Sequence, residues 1–278
     1  MAKDVTKTTD DVKPKTGLAV QDQGTDIVGA EADDFFEGAG EGLQDFQQSD
    51  FLIPYVRIVQ ALSKELQRNH AKFLQGAEQG AFVNSATRKV YNGEKGFLAI
   101  PVSFAHRYMA WKPNNGGPAY DMGPDATLYN SLQSDDKGKR KDKDGNEITD
   151  SLQFFIMLVD KETFEYEMAV LNFSGSQAKK ARGWITTINN RMERRNGQLM
   201  RPAIYFYSYD ISSVPESNDQ GSWYGFSIAE GPKVMDLQNA KEIFSTAKTL
   251  RQRIEANEVK ADIAHEGDEA DSGDTKAF

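Results

Sequence analysis

No cysteine occurs among the 278 residues. Disulfides, thiolate nucleophiles and cysteine-ligated zinc are therefore excluded, which suits a reducing cytoplasm. Histidine is nearly as scarce: His70, His106 and His265 stand far apart, and no H-E-x-x-H, Walker or serine-elbow sequence occurs. The expectation is a protein that is not an enzyme and carries no cofactor or metal. Long apolar runs are missing too. The longest, "FFIMLV" at Phe154 to Val159, is far short of the roughly 20 residues a membrane-spanning helix needs. The start, "MAKDVTKTTDD", has no signal-peptide core. A soluble protein with no membrane partner is expected.

What is present is charge, unevenly spread. The formal net charge is −9. Residues 1–50 carry twelve acids against four lysines, and residues 255–278 carry eight acids against two, so the stretch between them is net positive by five. Acidic ends around a basic body point to a nucleic-acid partner or an acidic interaction tail. The first 50 residues hold few large apolar side chains and are expected to be disordered. Their "GAGEG" stretch follows no strand and sits among carboxylates, which argues against a phosphate loop. The expected organisation is a disordered segment 1–50, a domain 51–254 and a disordered tail 255–278 ending in Phe278.

Within the domain, "FLIPYVRIVQALSKEL" opens the ordered chain as a strand or, from Pro54, a short helix. "GAFVNSATRKVYNGEKG" then reads as a hairpin. In "FLAIPVSFAHRYMAW", Leu98, Ile100, Val102 and Phe104 alternate toward one face of a long strand bent near Pro101. Residues 112 to 150 read as a long loop or a loop-plus-hairpin insertion. Strands follow at "LQFFIMLVD" and "TFEYEMAVLNF", joined by a tight turn. A helix spans "SGSQAKKARGWITTINNRMERRNG", capped by Ser174 or Ser176, striped by Ala181, Trp184, Ile185, Ile188 and Met192, and stopped at Asn196-Gly197. Two more strands, "PAIYFYSYDISSV" and "SWYGFSI", precede a second amphipathic helix capped by Asp236. The fold class is α+β, mainly β with two helices. The order from Phe97 is that of an OB-like five-stranded barrel, with a long loop between its first two strands and an N-terminal hairpin extension.

Three features carry chemistry. Between Lys179 and Arg201, seven cations (Lys179, Lys180, Arg182, Arg191, Arg194, Arg195, Arg201) face one acid, Glu193. Lys180, Arg191 and Arg194 fall on one flank of the expected helix, a pattern that can track a phosphate backbone. Tyr205, Tyr207 and Tyr209 alternate along an expected strand as a stacking row, with Arg107, Trp111 and Trp223 as further contacts. Lys139, Arg140 and Lys141 sit in the long loop, where they could clamp a strand. "DKDGNE" places Gly145 too early for an EF-hand.

At "FLIPYVRIVQALSKEL", "GAFVNSATRKVYNGEKGFLAIPVSF", "SGSQAKKARGWITTI" and "VPESNDQGSWYGFSI", the chain resembles a family of tailed-phage proteins associated with single-stranded DNA binding near replication and recombination functions. The resemblance implies a sequence-independent binder of single-stranded DNA in the infected bacterial cytoplasm, serving replication, recombination or repair. The tail "EGDEADSGDTKAF" resembles those of single-stranded DNA-binding proteins, which pair acids with a terminal Phe. Here Lys276 interrupts the acids and Ala277 precedes Phe278. That likeness implies replication or recombination proteins as partners through Phe278, Asp274 and Asp271. The competing expectation is a phage protein-interaction module that binds no DNA. Self-association is left open.

Overall fold

The computed structural model describes residues 52–113, 118–136, 138–219 and 221–262. Chain order begins with β1 (Leu52–Ile53) and the short strands β2 (Val56–Ile58), β3 (Phe82–Asn84) and β4 (Val90–Tyr91), the last three forming a small antiparallel sheet. The β3–β4 hairpin is the one read from the sequence.

The centre is β5 (Phe97–Trp111), the long strand anticipated from its alternation. Its bend is also present, as a register shift between Pro101 and Ser103 opposite β8 (Glu147–Val159). The extra residue changes which face the later side chains occupy. Leu98, Ile100 and Val102 pack on one side of the sheet, whereas Phe104 packs on the other, beside Phe154. The expectation that all four share a face is corrected by that bulge.

β8 pairs on its other side with β9 (Tyr166–Phe173), and β5 pairs with β12 (Tyr207–Asn218), which pairs with β13 (Gly221–Lys233). The order across the main sheet is thus β9-β8-β5-β12-β13. Among the described residues no backbone pairing joins β9 to β13, so the sheet is not a closed barrel. The seam is bridged by side chains instead: the rings of Phe173 and Phe226 lie 4.5 Å apart.

Both faces of the sheet are buried, in keeping with the continuous apolar run of β8. One face packs against the small sheet and α2 (Ala178–Asn190), with Trp184 stacked 4.1 Å from Phe154. The other packs against α3 (Ala240–Glu255) through Ile243, Ala247 and Leu250. The structure is α+β, as expected. A third, short helix joins the two anticipated ones.

That third helix lies in the 112–150 insertion, which contains β6 (Pro118–Gly123), α1 (Ala126–Ser131) and β7 (Arg140–Lys141). Asp125 caps α1 by accepting from the amides of Thr127 and Leu128. Tyr129 stacks 4.2 Å from Tyr108, giving the insertion a small core of its own.

Ser174 stands at the N-cap position of the turn leading into α2 but makes no side-chain cap bond, and Asp236 caps no helix. Gly175–Gln177 continues into α2 as a 3₁₀ turn, Val234–Asp236 forms another, and Asn239 at φ 60° precedes α3. The tail boundary at 255 is also corrected: β14 (Lys260–Ala261) pairs in parallel with β1, and the Asp262 amide donates to the Ile53 carbonyl.

The β8–β9 turn rests on Asp160, which accepts from the amides of Glu162 and Thr163 at 2.8 and 2.9 Å. The backbone donation from Thr163, then from Glu162, holds its carboxyl below the usual aspartate range. The stabilisation is therefore full above the unfolded pKa of about 4 and lost as pH falls through the lower folded value. Asp160→Asn should weaken the protein near neutrality and flatten the acid limb of its urea midpoint against pH. An unchanged acid limb would refute this role.

Candidate nucleic-acid interface

The basic stretch from Lys179 to Arg201 does not form one helix. α2 ends at Asn190, Arg191 is extended (ψ 132°), and β10 (Glu193–Arg195) and β11 (Gln198–Met200) form an antiparallel hairpin. Asn196 and Gly197, read as a helix stop, are its two-residue turn, both with positive φ (51° and 82°). Arg191 and Arg194 therefore do not extend the flank of α2 that holds Lys179 and Lys180.

The helix breaks at Arg191 because that side chain and its neighbour are tied to the sheet. The Arg191 guanidinium lies 4.1 Å from the Tyr207 ring centre and pairs with Glu230 at 2.5 Å. Burial opposes its charge, but donation to Glu230 prevails and raises its pKa. Glu193 accepts from the Tyr207 hydroxyl and pairs with Lys233 at 2.8 Å. The base of the hairpin is anchored while β10 and β11 pair only with each other.

Most of the other cations meet carboxylates, some near in the chain and some far. Lys180 pairs with Glu216 and donates to the Phe226 carbonyl. Burial would raise the Glu216 pKa, but donation from Lys180, Gln177 and Trp223 outweighs it and lowers the value. Arg182 pairs at 2.5 Å with Asp150, which also meets His106. Arg107 grips Asp121, Lys139 pairs with Glu147, and Lys141 lies 4.0 Å from Asp135. Arg140 donates to three carbonyls at the end of α1 and covers the Tyr129 ring, so it holds the insertion together. Counting acids only between Lys179 and Arg201 overlooked Glu216 and Asp150, which reach Lys180 and Arg182 from other strands.

The tyrosine row is also corrected. Tyr205 lies in a 3₁₀ turn and packs on Phe244, on the α3 side of the sheet. Tyr207 and Tyr209 are buried on the α2 side. Burial pushes the Tyr209 hydroxyl up to about 12. Three rings on two faces, each covered by protein, form no stacking platform. Trp111 donates to Thr149 and Trp223 to Glu216, fixing both half-buried indoles.

The surface left for a polyanion is the hairpin, hereafter the arm. Arg194, Arg195 and Arg201 are exposed and meet no carboxylate among the described residues; Arg194 donates to the Gly197 carbonyl across the turn. Beside them Met192, Leu199 and Met200 are 43%, 58% and 43% exposed. Lys179 is a further exposed, unpaired cation on α2. The three apolar residues were missed because Met192 was assigned to the helix stripe. Asn-Gly between short runs was the signal that could have placed them on a hairpin. Phe278, Asp274 and Asp271 lie outside the described residues.

No group of residues able to hold a metal ion occurs among the described residues, and none of their helices is long and apolar enough to cross a membrane. A family model described as "Pam3 phage gp34-like protein" matches residues 22–260. No curated protein and no solved structure matches.

Proposed function

The chain belongs to the Pam3 phage gp34-like protein family, and from that premise we propose that it binds single-stranded DNA without sequence preference and catalyses no reaction. The arm carries this reading. It combines guanidinium groups free of carboxylates with exposed apolar side chains, so phosphates and bases of one strand can be met together. The sheet order β9-β8-β5-β12-β13 supports it, being the order of an OB-type sheet with the seam between its third and fifth strands open. In this reading the protein coats exposed strands during phage replication, recombination or repair in the host cytoplasm.

The test is fluorescence anisotropy with a labelled thymidine oligomer and a duplex of equal length across a salt series. The oligomer should bind more tightly than the duplex, with a log–log salt slope of about −0.7 per phosphate neutralised. No uptake of the oligomer at low salt would overturn the proposal. A second reading, a protein-interaction module, is favoured by one observation at the edge of β13.

A further inference from the structure

β13 is an edge strand whose unpaired side is covered only in part. The Ser213 amide donates to the Gly93 carbonyl, away from β13. The alternation of an antiparallel ladder then turns the backbone of Tyr224, Phe226, Ile228 and Glu230 outward, away from β12. At Tyr224 the side-chain amide of Gln60 replaces a partner strand, donating to its carbonyl and accepting from its amide at 2.9 Å each. At Phe226 the amide donates to Gln177 at 3.0 Å and the carbonyl accepts from Lys180 at 2.5 Å. This substitution stops at Phe226. From Ile228 onward the edge opens on a cleft of about 460 Å³ between β13 and α2.

The cleft is built for more than water. Its walls include Trp184, Tyr209, Phe226 and Ile228, and the helix contributes Gly183 and Thr187, which leave room above the strand edge. Trp184 is 3% exposed, and its buried indole N–H has no acceptor among the described residues, a cost to the fold. Lys179, exposed and without an ion-pair partner among the described residues, stands one helix turn before Gly183.

We propose that this open edge is a docking groove for an extended peptide of a partner protein, which adds as a strand beside Ile228 and Glu230, seats an apolar side chain in the cleft and sets an acidic residue toward Lys179. Backbone pairing supplies affinity in such strand addition, and the pocket beneath supplies selectivity. Natural sheets cover or charge their edges; here the cover ends where the cleft begins. The site shares none of the arm's exposed arginines, although Glu230 also holds the base of the hairpin through Arg191 and Lys179 is a cation common to both surfaces.

The probe is a fluorescein-labelled synthetic peptide of alternating leucine and aspartate, titrated against the full chain. Two control peptides carry lysine for aspartate, or N-methyl groups on alternate amides. The parent protein should bind the first peptide and protect the Ile228 amide from hydrogen exchange. N-methylation, Ile228→Pro and Gly183→Phe should each weaken binding at least about tenfold, roughly 1.4 kcal/mol. Proline is tolerated at Ile228 because that N–H makes no ladder bond. A β-carbon at Gly183, which lines the cleft, meets nothing within 4 Å, so a side chain can be introduced there without a clash at its β-carbon. Thymidine-oligomer uptake should stay within about twofold of the parent in both variants. The proposal fails if the peptide does not bind, if both variants bind it as the parent does, or if the oligomer displaces it, which would make the cleft a nucleotide site. Failure of the parent to take up DNA while still binding peptide would sink only the DNA reading.

Discussion

Replacing Arg194, Arg195 and Arg201 together with alanine is expected to weaken thymidine-oligomer binding by about tenfold to a hundredfold at low salt. The log–log salt slope should become shallower by about 2, since each phosphate released from a single strand contributes about 0.7. The affinity range follows from exposed charge pairs worth up to about 1 kcal/mol each, or some 3 kcal/mol for three. The fold should not suffer: all three side chains are exposed, and none pairs with a carboxylate among the described residues. Replacing Met192, Leu199 and Met200 with serine should separate the two halves of the interface. Stacking and apolar contact with bases carry no counterion release, so affinity should fall while the slope stays as in the parent. Anisotropy titrations on matched samples read both quantities. If the arginine variant binds with the parent's affinity and slope, the arm is not the interface.

What could be read from the sequence divides by distance along the chain. β5 was legible because alternation over Phe97 to Trp111 is a local signal, and Pro101 marked its bend. The consequence of the bend was not, because the changed face of Phe104 depends on Val102 being left over where consecutive residues of β8 pair with Pro101 and Ser103. The end of α2 was misplaced for a related reason. Helical spacing continues through Ile188 to Met192, but Arg191 and Glu193 are held by Tyr207, Glu230 and Lys233, from strands later in the chain. Local composition also exaggerated the basic character of the candidate site. Glu216, Asp150 and Glu230 neutralise Lys180, Arg182 and Arg191 from strands far away in sequence. The parallel pair β1–β14 joins the two ends of the described residues through two residues each, too short for any periodic pattern to reveal.

Glu65→Ala is expected to destabilise the protein by about 3–5 kcal/mol, because it leaves a buried guanidinium without its counter-ion. Arg57 and Glu65 are 5% and 2% exposed, and they meet through Arg57 Nη2 and Glu65 Oε1. The contact is single-pronged: Arg57 Nε and Glu65 Oε2 have no hydrogen-bond partner. A pair so incompletely satisfied recovers little of its desolvation cost, so its replacement by Arg57→Met with Glu65→Leu should restore stability to near the parent value or above it. Urea denaturation of the parent, both single variants and the double variant completes the cycle. A double variant as unstable as Glu65→Ala would show that the ion pair itself supplies the stability. The consequence reaches the edge of β13. Arg57 lies on β2 and Glu65 in the following 3₁₀ turn, and the chain between them carries Gln60, whose amide covers Tyr224. Loosening this segment should therefore expose the Tyr224 amide to hydrogen exchange ahead of global unfolding, opening a second gap in the edge on the far side of the Gln177 and Lys180 cover at Phe226. If Tyr224 exchanges only with global unfolding in Glu65→Ala, then Gln60 is held in place without help from the buried pair.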